Sequence, residues 1–277
     1  MTLPPGWQTD VAVLRLGGAE VVAHDDHLVV REPGNPRHHW GNFVLVTDEG
    51  RVDHAEHWLA RFGQEFPDAE HLAIGLSAQP ATAPWAAVGL APETDDVLTT
   101  DRLQTQPPCP DGYTARALAT AEDWAQHVAL AVRGNAATGE HEPSGFADFM
   151  TARAQTRQRL VERGIGAWFG AFHGEELVAD LGIVDCGEAT ARYQSVGTDA
   201  AHRRRGLAGH LIGLAARWAE GRGCSQPGSS SSVETRYVII TEVDNPAGRL
   251  YRSLGFAPDV QNVQVYRAPA GDPVGRA

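Results

Sequence analysis

Gln194-Ser195-Val196-Gly197-Thr198, a short turn, and then Arg203-Arg204-Arg205-Gly206-Leu207-Ala208-Gly209 form the stretch from which the rest of the chain can be read. Leu207, Leu211, Leu214 and Trp218 recur at three- and four-residue intervals, which predicts one buried face on a helix running from near Arg204 to about Glu220. Gly206, Ala208 and Gly209 keep the first turn of that helix almost free of side chains. A helix N-terminus offers backbone N–H groups without intrahelical partners and the positive end of a dipole, and small residues let a diphosphate come close to them. Three consecutive arginines add positive charge around this approach. Taken alone, Arg203 to Arg205 also fits a solvated basic turn.

The chain has 277 residues, enough for two domains at about 100–200 residues each. With 42% hydrophobic and 21% charged residues it has the composition of a globular protein with a substantial core. No apolar run reaches the ~20 residues of a bilayer span. Met1-Thr2-Leu3-Pro4-Pro5-Gly6 lacks the basic and apolar segments of a signal peptide, so a cytoplasmic protein away from membranes is expected. Cys109, Cys186 and Cys224 are far apart and without metal-ligand spacing, and are read as reduced thiols. All 23 basic residues are arginine, which excludes a lysine nucleophile. Residues 1–106 carry 6 arginines against 16 carboxylates, and residues 107–277 carry 17 against 19. An acidic chain of this kind is a poor match for a nucleic-acid backbone, so no nucleic-acid partner is expected.

In order, Val11 to Leu14, His27 to Val30 and Trp40 to Val46 read as short strands, Trp58 to Phe66 as a helix closed by Pro67, and His71 to Leu76 as a strand. Gln79 to Pro84 reads as a loop, with a last strand near Val97. The Pro-rich segment within Gln104 to Gly112 reads as a connector, placing a first domain at 1–106, a linker at 107–112 and a second domain at 113–277. The second domain is expected to hold a strand at Tyr113 to Leu118, helices at Glu122 to Arg133 and Gly145 to Arg163, and a meander at Ala167 to Phe172, Leu177 to Val184 and Ala191 to Thr198. After the helix described above, Ser225 to Ser232 reads as a mobile low-complexity loop, Tyr237 to Thr241 as a buried central strand, Pro246 to Leu254 as a helix and Val263 to Tyr266 as a strand. Val88-Gly89-Leu90-Ala91-Pro92-Glu93 with Val97 repeats, in the same register, as Leu254-Gly255-Phe256-Ala257-Pro258-Asp259 with Val263. Two copies of one α+β fold explain the match; a coincidental Gly-X-Ala-Pro turn is the other reading.

Arg203-x-x-Gly206-x-Ala208 after one strand and Asn245-x-x-Gly248-x-Leu250-Tyr251-x-x-x-Gly255-Phe256 after the next resemble the GCN5-related N-acetyltransferase (GNAT) superfamily over about residues 113 to 267. The resemblance implies two mixed sheets flanked by helices, the first a degenerate copy. It also implies acetyl-coenzyme A as co-substrate, bound where two parallel strands splay apart in the second. On that pattern Arg203, Arg204, Arg205, Gly206, Leu207, Ala208 and Gly209 meet the diphosphate, and Val196, Gly197 and Thr198 pair with the pantetheine like an added strand. Asn245 contacts the coenzyme or caps the following helix, and Tyr251 is the proton donor to the leaving thiolate or a core tyrosine. Gly248 stands where the family usually has alanine.

The general base carries no mark; Glu242 is the first candidate, with Asp180 and Asp185 behind it. His54-x-x-His57 lacks a third ligand, so no metal is expected. In the first half Thr47-Asp48-Glu49-Gly50-Arg51-Val52-Asp53 occupies the place of the basic turn; its carboxylates repel a diphosphate and are expected to cap the helix themselves. The resulting expectation is transfer of an acetyl group to the amine of a small molecule or peptide. The acidic first half hints at a cationic acceptor such as a polyamine, aminoglycoside or basic peptide. Two alternatives stay open, a tandem enzyme resembling mycothiol synthase and a non-catalytic acyl-coenzyme A sensor.

Overall fold

Val11 to Leu14, β-prone by composition, is helical in the computed structural model, which describes residues 3–139, 142–223 and 234–269. Helix α1 (Pro5–Gly17) starts with proline at its first position and ends where Gly18 turns left-handed, with φ 103°. It buries Trp7 and Val11, and this amphipathic face overrides the strand propensity of the valines. Then follow β1 (Glu20–Ala23), β2 (His27–Arg31), β3 (Phe43–Val46), α2 (Ala55–Glu65), β4 (Leu72–Leu76), α3 (Thr82–Ala87) and β5 (Glu93–Thr100). The expected loop at Gln79 to Pro84 is thus partly helical. The second half runs β6 (Thr114–Ala117), α4 (Ala121–Thr138), α5 (Pro143–Glu162), β7 (Gly166–His173), β8 (Glu176–Asp185) and β9 (Thr190–Thr198). It continues through α6 (Leu207–Gly223), β10 (Arg236–Glu242), α7 (Pro246–Ser253), β11 (Ala257–Pro258) and β12 (Asn262–Arg267). The expected loop at Ser225 to Ser232, and Cys224, lie outside the described residues.

The strands form one mixed sheet in the order β1-β2-β3-β4-β12-β5-β10-β9-β8-β7-β6, with β11 beside β5. A sheet from each half of the chain is joined in it, and their last strands are exchanged. β5, from the first half, pairs with β10 of the second, while β12, from the second half, pairs with β4 of the first. β5 and β12 also pair with each other. The internal repeat is therefore structural: β3-α2-β4-α3-β5 corresponds to β9-α6-β10-α7-β12. Its shared turn has a left-handed glycine in both copies, Gly89 at φ 75° and Gly255 at φ 104°. Leu90 N–H donates to the Trp85 carbonyl and Phe256 N–H to the Tyr251 carbonyl, five residues back in each case.

Each half has its own core. Trp58, Phe43, Ile74 and Trp85 lead the first. Leu207, Leu211, Ile212, Ala215 and Tyr193 lead the second, where α6 lies on β7, β8 and β9. A third cluster packs α4 and α5 on the other face of β7 and β8, around Trp124, Leu160 and Trp168. Helix α1 is wedged between the halves, touching α5, β9 and β10. Among the described residues no helix is long and apolar enough to cross a membrane.

Candidate active site

β9 and β10 start as neighbours and then part. Their parallel pairing covers Arg236 with Thr190, Tyr237 with Ala191 and Val238 with Arg192, and stops there. Beyond that point β10 continues against β5 as far as Glu242 opposite Asp95, and β9 continues against β8 as far as Thr198 opposite Ala179. Val196, Gly197 and Thr198 therefore border a gap. A bulge shapes this edge: Asp180 pairs with Gly197 and Gly182 with Gln194, so Leu181 faces both Ser195 and Val196. Ser195 takes φ 50°, an unusual conformation for a residue with a side chain, and Arg157 holds it through an Nη2–H···Oγ bond of 2.5 Å.

Past Thr198 the chain makes a single 3-10 turn at Ala200–His202, capped by Asp199. Arg203 to Gly206 then form a turn rather than helix, because Arg204 and Gly206 are left-handed at φ 62° and 85°. Helix α6 begins at Leu207, three residues later than the periodicity predicts, and its first described backbone bond runs from His210 N–H to the Gly206 carbonyl. The N–H groups of Leu207, Ala208 and Gly209 precede that bond and form the unpaired first turn. Arg203, Arg204 and Arg205 are exposed around it, with Arg203 Nε tied to the Thr198 carbonyl at 3.1 Å. Pro107 of the connector lies against Gly209 and accepts from His210 Nδ1 at 2.8 Å.

A cavity of about 490 Å³ fills the gap between the parted strands. The second half contributes Gln194 to Val196, Ile239 to Glu242, Asn245 and Tyr251; the first contributes Trp7, Asp10, Trp40 and Asp95 among others. Tyr251 is 4% exposed, and burial pushes its hydroxyl up to about 12, against the opposing charge of Arg192. Glu242 sits at the exposed end of β10, directly across from Asp95. Asn245 caps α7, its Oδ1 accepting from Ala247 N–H at 2.9 Å, and lines the same cavity. A β-carbon at Gly248 meets the flexible tip of Arg252, 2.7 Å away, so the departure from alanine is local. Asp180 is buried and bonded to His127; Asp185 is at the far end of β8, bonded to Gly187 N–H. Cys186 is half-buried, with its thiol pushed up to about 12 by burial.

Two buried relays meet this cavity from α5. Glu32 accepts from His38 Nδ1 at 2.5 Å, and His38 Nε2 accepts from Arg153 at 2.6 Å. Asp180 accepts from His127 Nδ1 at 2.5 Å, and His127 Nε2 accepts from Arg157 at 2.7 Å. A guanidinium has no acceptor, so each imidazole presents a ring lone pair to its arginine. Burial, with Arg153 adding to it, lowers His38 to about 4. Neither relay was visible in the sequence. Arg153 and Arg157, four apart on one helix, were the available signal, but their histidine partners are 115 and 30 residues away.

A larger groove of about 790 Å³ crosses the first half beside Arg31, His39, His71 and Phe149 and shares no residue with this cavity. Among the described residues His24, His27 and Glu65 converge within 4.8 Å, with the Glu65 oxygens held by Arg31 and Arg61.

The acetyltransferase (GNAT) domain family matches residues 164–258, the span from the start of β7 through the parted strands and Tyr251 to β11. This part of the chain matches a GNAT domain. The whole chain has the fold of tandem proteins of that superfamily. A GCN5-related N-acetyltransferase from Kribbella flavida superimposes with a TM-score of 0.62 at 17% identity, covering 96% of both chains. A tandem GNAT protein from the clavulanic acid biosynthesis pathway gives 0.57 at 16% identity, over 96% of this chain and 94% of its own. A putative acetyltransferase of the GNAT family from Novosphingobium aromaticivorans gives 0.54 at 17% identity, over 95% and 96%. No curated protein sequence matches significantly.

The first GNAT-like half lacks the corresponding features. β3 and β4 stay paired at Val44 with Ile74, Leu45 with Gly75 and Val46 with Leu76, and Ser77 N–H still donates to the Val46 carbonyl beyond them. Trp7 covers that end, its indole donating to the Leu76 carbonyl at 3.1 Å. In the repeat register Trp85 stands where the second half has Tyr251, fully buried with its indole on the Val52 carbonyl. The acidic turn does not cap α2 as expected: Asp48 binds Gly50 N–H, Asp53 binds Ala81 N–H, and the helix begins after His54 with no side-chain cap.

Proposed function

We propose that the chain is an acetyl-coenzyme A-dependent N-acetyltransferase whose chemistry belongs to the GNAT domain of its second half. One observation carries the proposal: β9 and β10 part where the Ser195–Val196 bulge and Tyr251 face the same cavity. The α6 turn fits a diphosphate by its bare backbone and its three arginines, and the open edge at Val196 and Thr198 fits a pantetheine arm. When bound, acetyl-coenzyme A supplies a thioester, which reacts with an amine without a covalent enzyme intermediate.

The residues then divide the work. Glu242 takes the proton from the acceptor's ammonium, directly or through water, and frees the nitrogen lone pair for attack on the carbonyl carbon. A C–N bond forms, and the Val196 N–H receives the charge that develops on the carbonyl oxygen. As the C–S bond breaks, Tyr251 gives its proton to the sulfur, and the second proton of the attacking nitrogen leaves through water to restore the Tyr251 hydroxyl, so that the products are the acetamide, the free thiol and the one proton held by Glu242; the raised pKa of Tyr251 keeps its proton in place at neutral pH. The test is thermal stabilisation by acetyl-coenzyme A together with its consumption against amine and thiol panels. Stabilisation with turnover of an amine supports the reading, and stabilisation without turnover across both panels favours a sensor. A preference for thiol-sugar amines would favour the tandem enzyme resembling mycothiol synthase.

A further inference from the structure

Arg153 and Arg157 project one turn apart from α5, and each is anchored by an imidazole backed by a carboxylate, but they end differently. Arg157 finishes on a protein group, Ser195 Oγ, at 2.5 Å. Arg153 gives Nη1 to His38, stacks near Phe149 with its centre 5.7 Å from the ring, and lines the cavity between the parted strands. Among the described residues it forms no ion pair. Glu32 is separated from it by the His38 ring. Asp10, the other carboxylate acting on it, already accepts from Arg192 at 3.0 Å and Asn262 at 3.2 Å. The second cavity arginine, Arg192, is therefore in direct contact with a carboxylate, whereas Arg153, half-buried, touches none and reaches Glu32 only through the His38 ring, and a guanidinium offers five N–H donors.

A half-buried guanidinium that lines a cavity and has no directly bonded carboxylate keeps donors free for an anionic ligand group. We infer that the acceptor carries an anionic group, a carboxylate or a phosphate, that pairs with Arg153 while its amine is presented to Glu242 and Tyr251. This rests on the acetyl-transfer reading. It also replaces the cationic acceptor suggested by the acidic first half: net charge acts at long range, whereas selection is made by the groups that wall the cavity. Neutral or purely cationic amines leave the Arg153 guanidinium unpaired and are rejected by at least about 100-fold in kcat/KM.

The test uses the full chain with acetyl-coenzyme A and matched acceptors: the L-amino acids, their amides, the corresponding decarboxylated amines, and O-phosphoethanolamine beside β-alanine and ethanolamine. Coenzyme A release is followed, and binding of the same compounds is followed by calorimetry. The expected result is response confined to the anionic members; the carboxylate and phosphate arms show which anion is used. In Arg153→Gln the kcat/KM of the best member falls 100-fold or more, mostly through KM, and Arg153→Lys recovers part of it. The acetyl-coenzyme A Kd stays within twofold, and the Tm of the unliganded Arg153→Gln protein does not fall, as it would for a structural arginine. Equal response to amides or decarboxylated amines overturns the inference, as does a change under threefold in Arg153→Gln. Binding of acetyl-coenzyme A with no response to any anionic member overturns it too. Failure to bind acetyl-coenzyme A at all instead removes the acetyltransferase reading beneath it.

Discussion

Tyr251 and Trp85 occupy the same place in two copies of one motif, but Tyr251 brings a phenolic hydroxyl to the cavity where Trp85 has an indole whose N–H is spent on the Val52 carbonyl. Tyr251→Phe keeps the ring's packing beside Phe256 and removes only the proton donor, so kcat should fall by roughly 100-fold or more with little change in acetyl-coenzyme A affinity. Burial pushes this tyrosine up to about 12, so it stays protonated through pH 10, and kcat should show no alkaline loss below that pH. Retained activity in Tyr251→Phe would show that the proton comes from elsewhere. His38 gives a second prediction, on stability. Its depressed value of about 4 means that the unfolded chain binds a proton more readily than the folded one from the ordinary histidine value of 6.5 down to 4. Its contribution is complete above that window and is lost as pH falls through it. Urea titrations should show stability dropping from pH 7 to pH 4.5, and His38→Gln, which can still donate to Glu32 and accept from Arg153, should flatten the drop.

Among the elements, the turn before α6 is the most exacting. Gly206 at φ 85° is where a branched side chain is strained by about 1–3 kcal/mol, so Gly206→Val should weaken acetyl-coenzyme A binding about tenfold or more in calorimetry. This turn was legible in outline because glycines, arginines and a helical apolar period coincide. The delayed start of α6 was not, since Arg204 is a good helix former and its left-handed φ comes from the fold of the turn. Strands of the second half were legible from their apolar runs, for β7 and β8 are buried on both faces. α1 was misread because Val11-Ala12-Val13-Leu14 has strand propensity, while the helix is decided by Trp7 and Val11 packing between two halves. The four-residue edge strand β1 and the six-residue α3 are too short to show a period.

At the scale of the whole molecule, the exchange of β5 and β12 ties the halves together. The repeat revealed two copies, yet nothing in either copy's local pattern says which neighbour its last strand will choose. Arg153 was hidden for the same reason, since its meaning depends on His38 from the other half. A fragment of residues 113–277 lacks β5, the strand that flanks β10, and should fail to unfold cooperatively in urea, whereas the full chain should unfold in one transition followed alike by tryptophan fluorescence and circular dichroism. Two separated transitions in the full chain would show that the halves are independent. The first half, with paired strands and Trp85, is expected to bind no coenzyme but to wall the acceptor cavity through Trp7, Asp10 and Asp95. Calorimetric titration of the full chain with acetyl-coenzyme A tests the central claim most directly. One site per chain, abolished by Arg204→Gln with Arg205→Gln, is the predicted result; two sites, or one of undiminished affinity in the double variant, would contradict it.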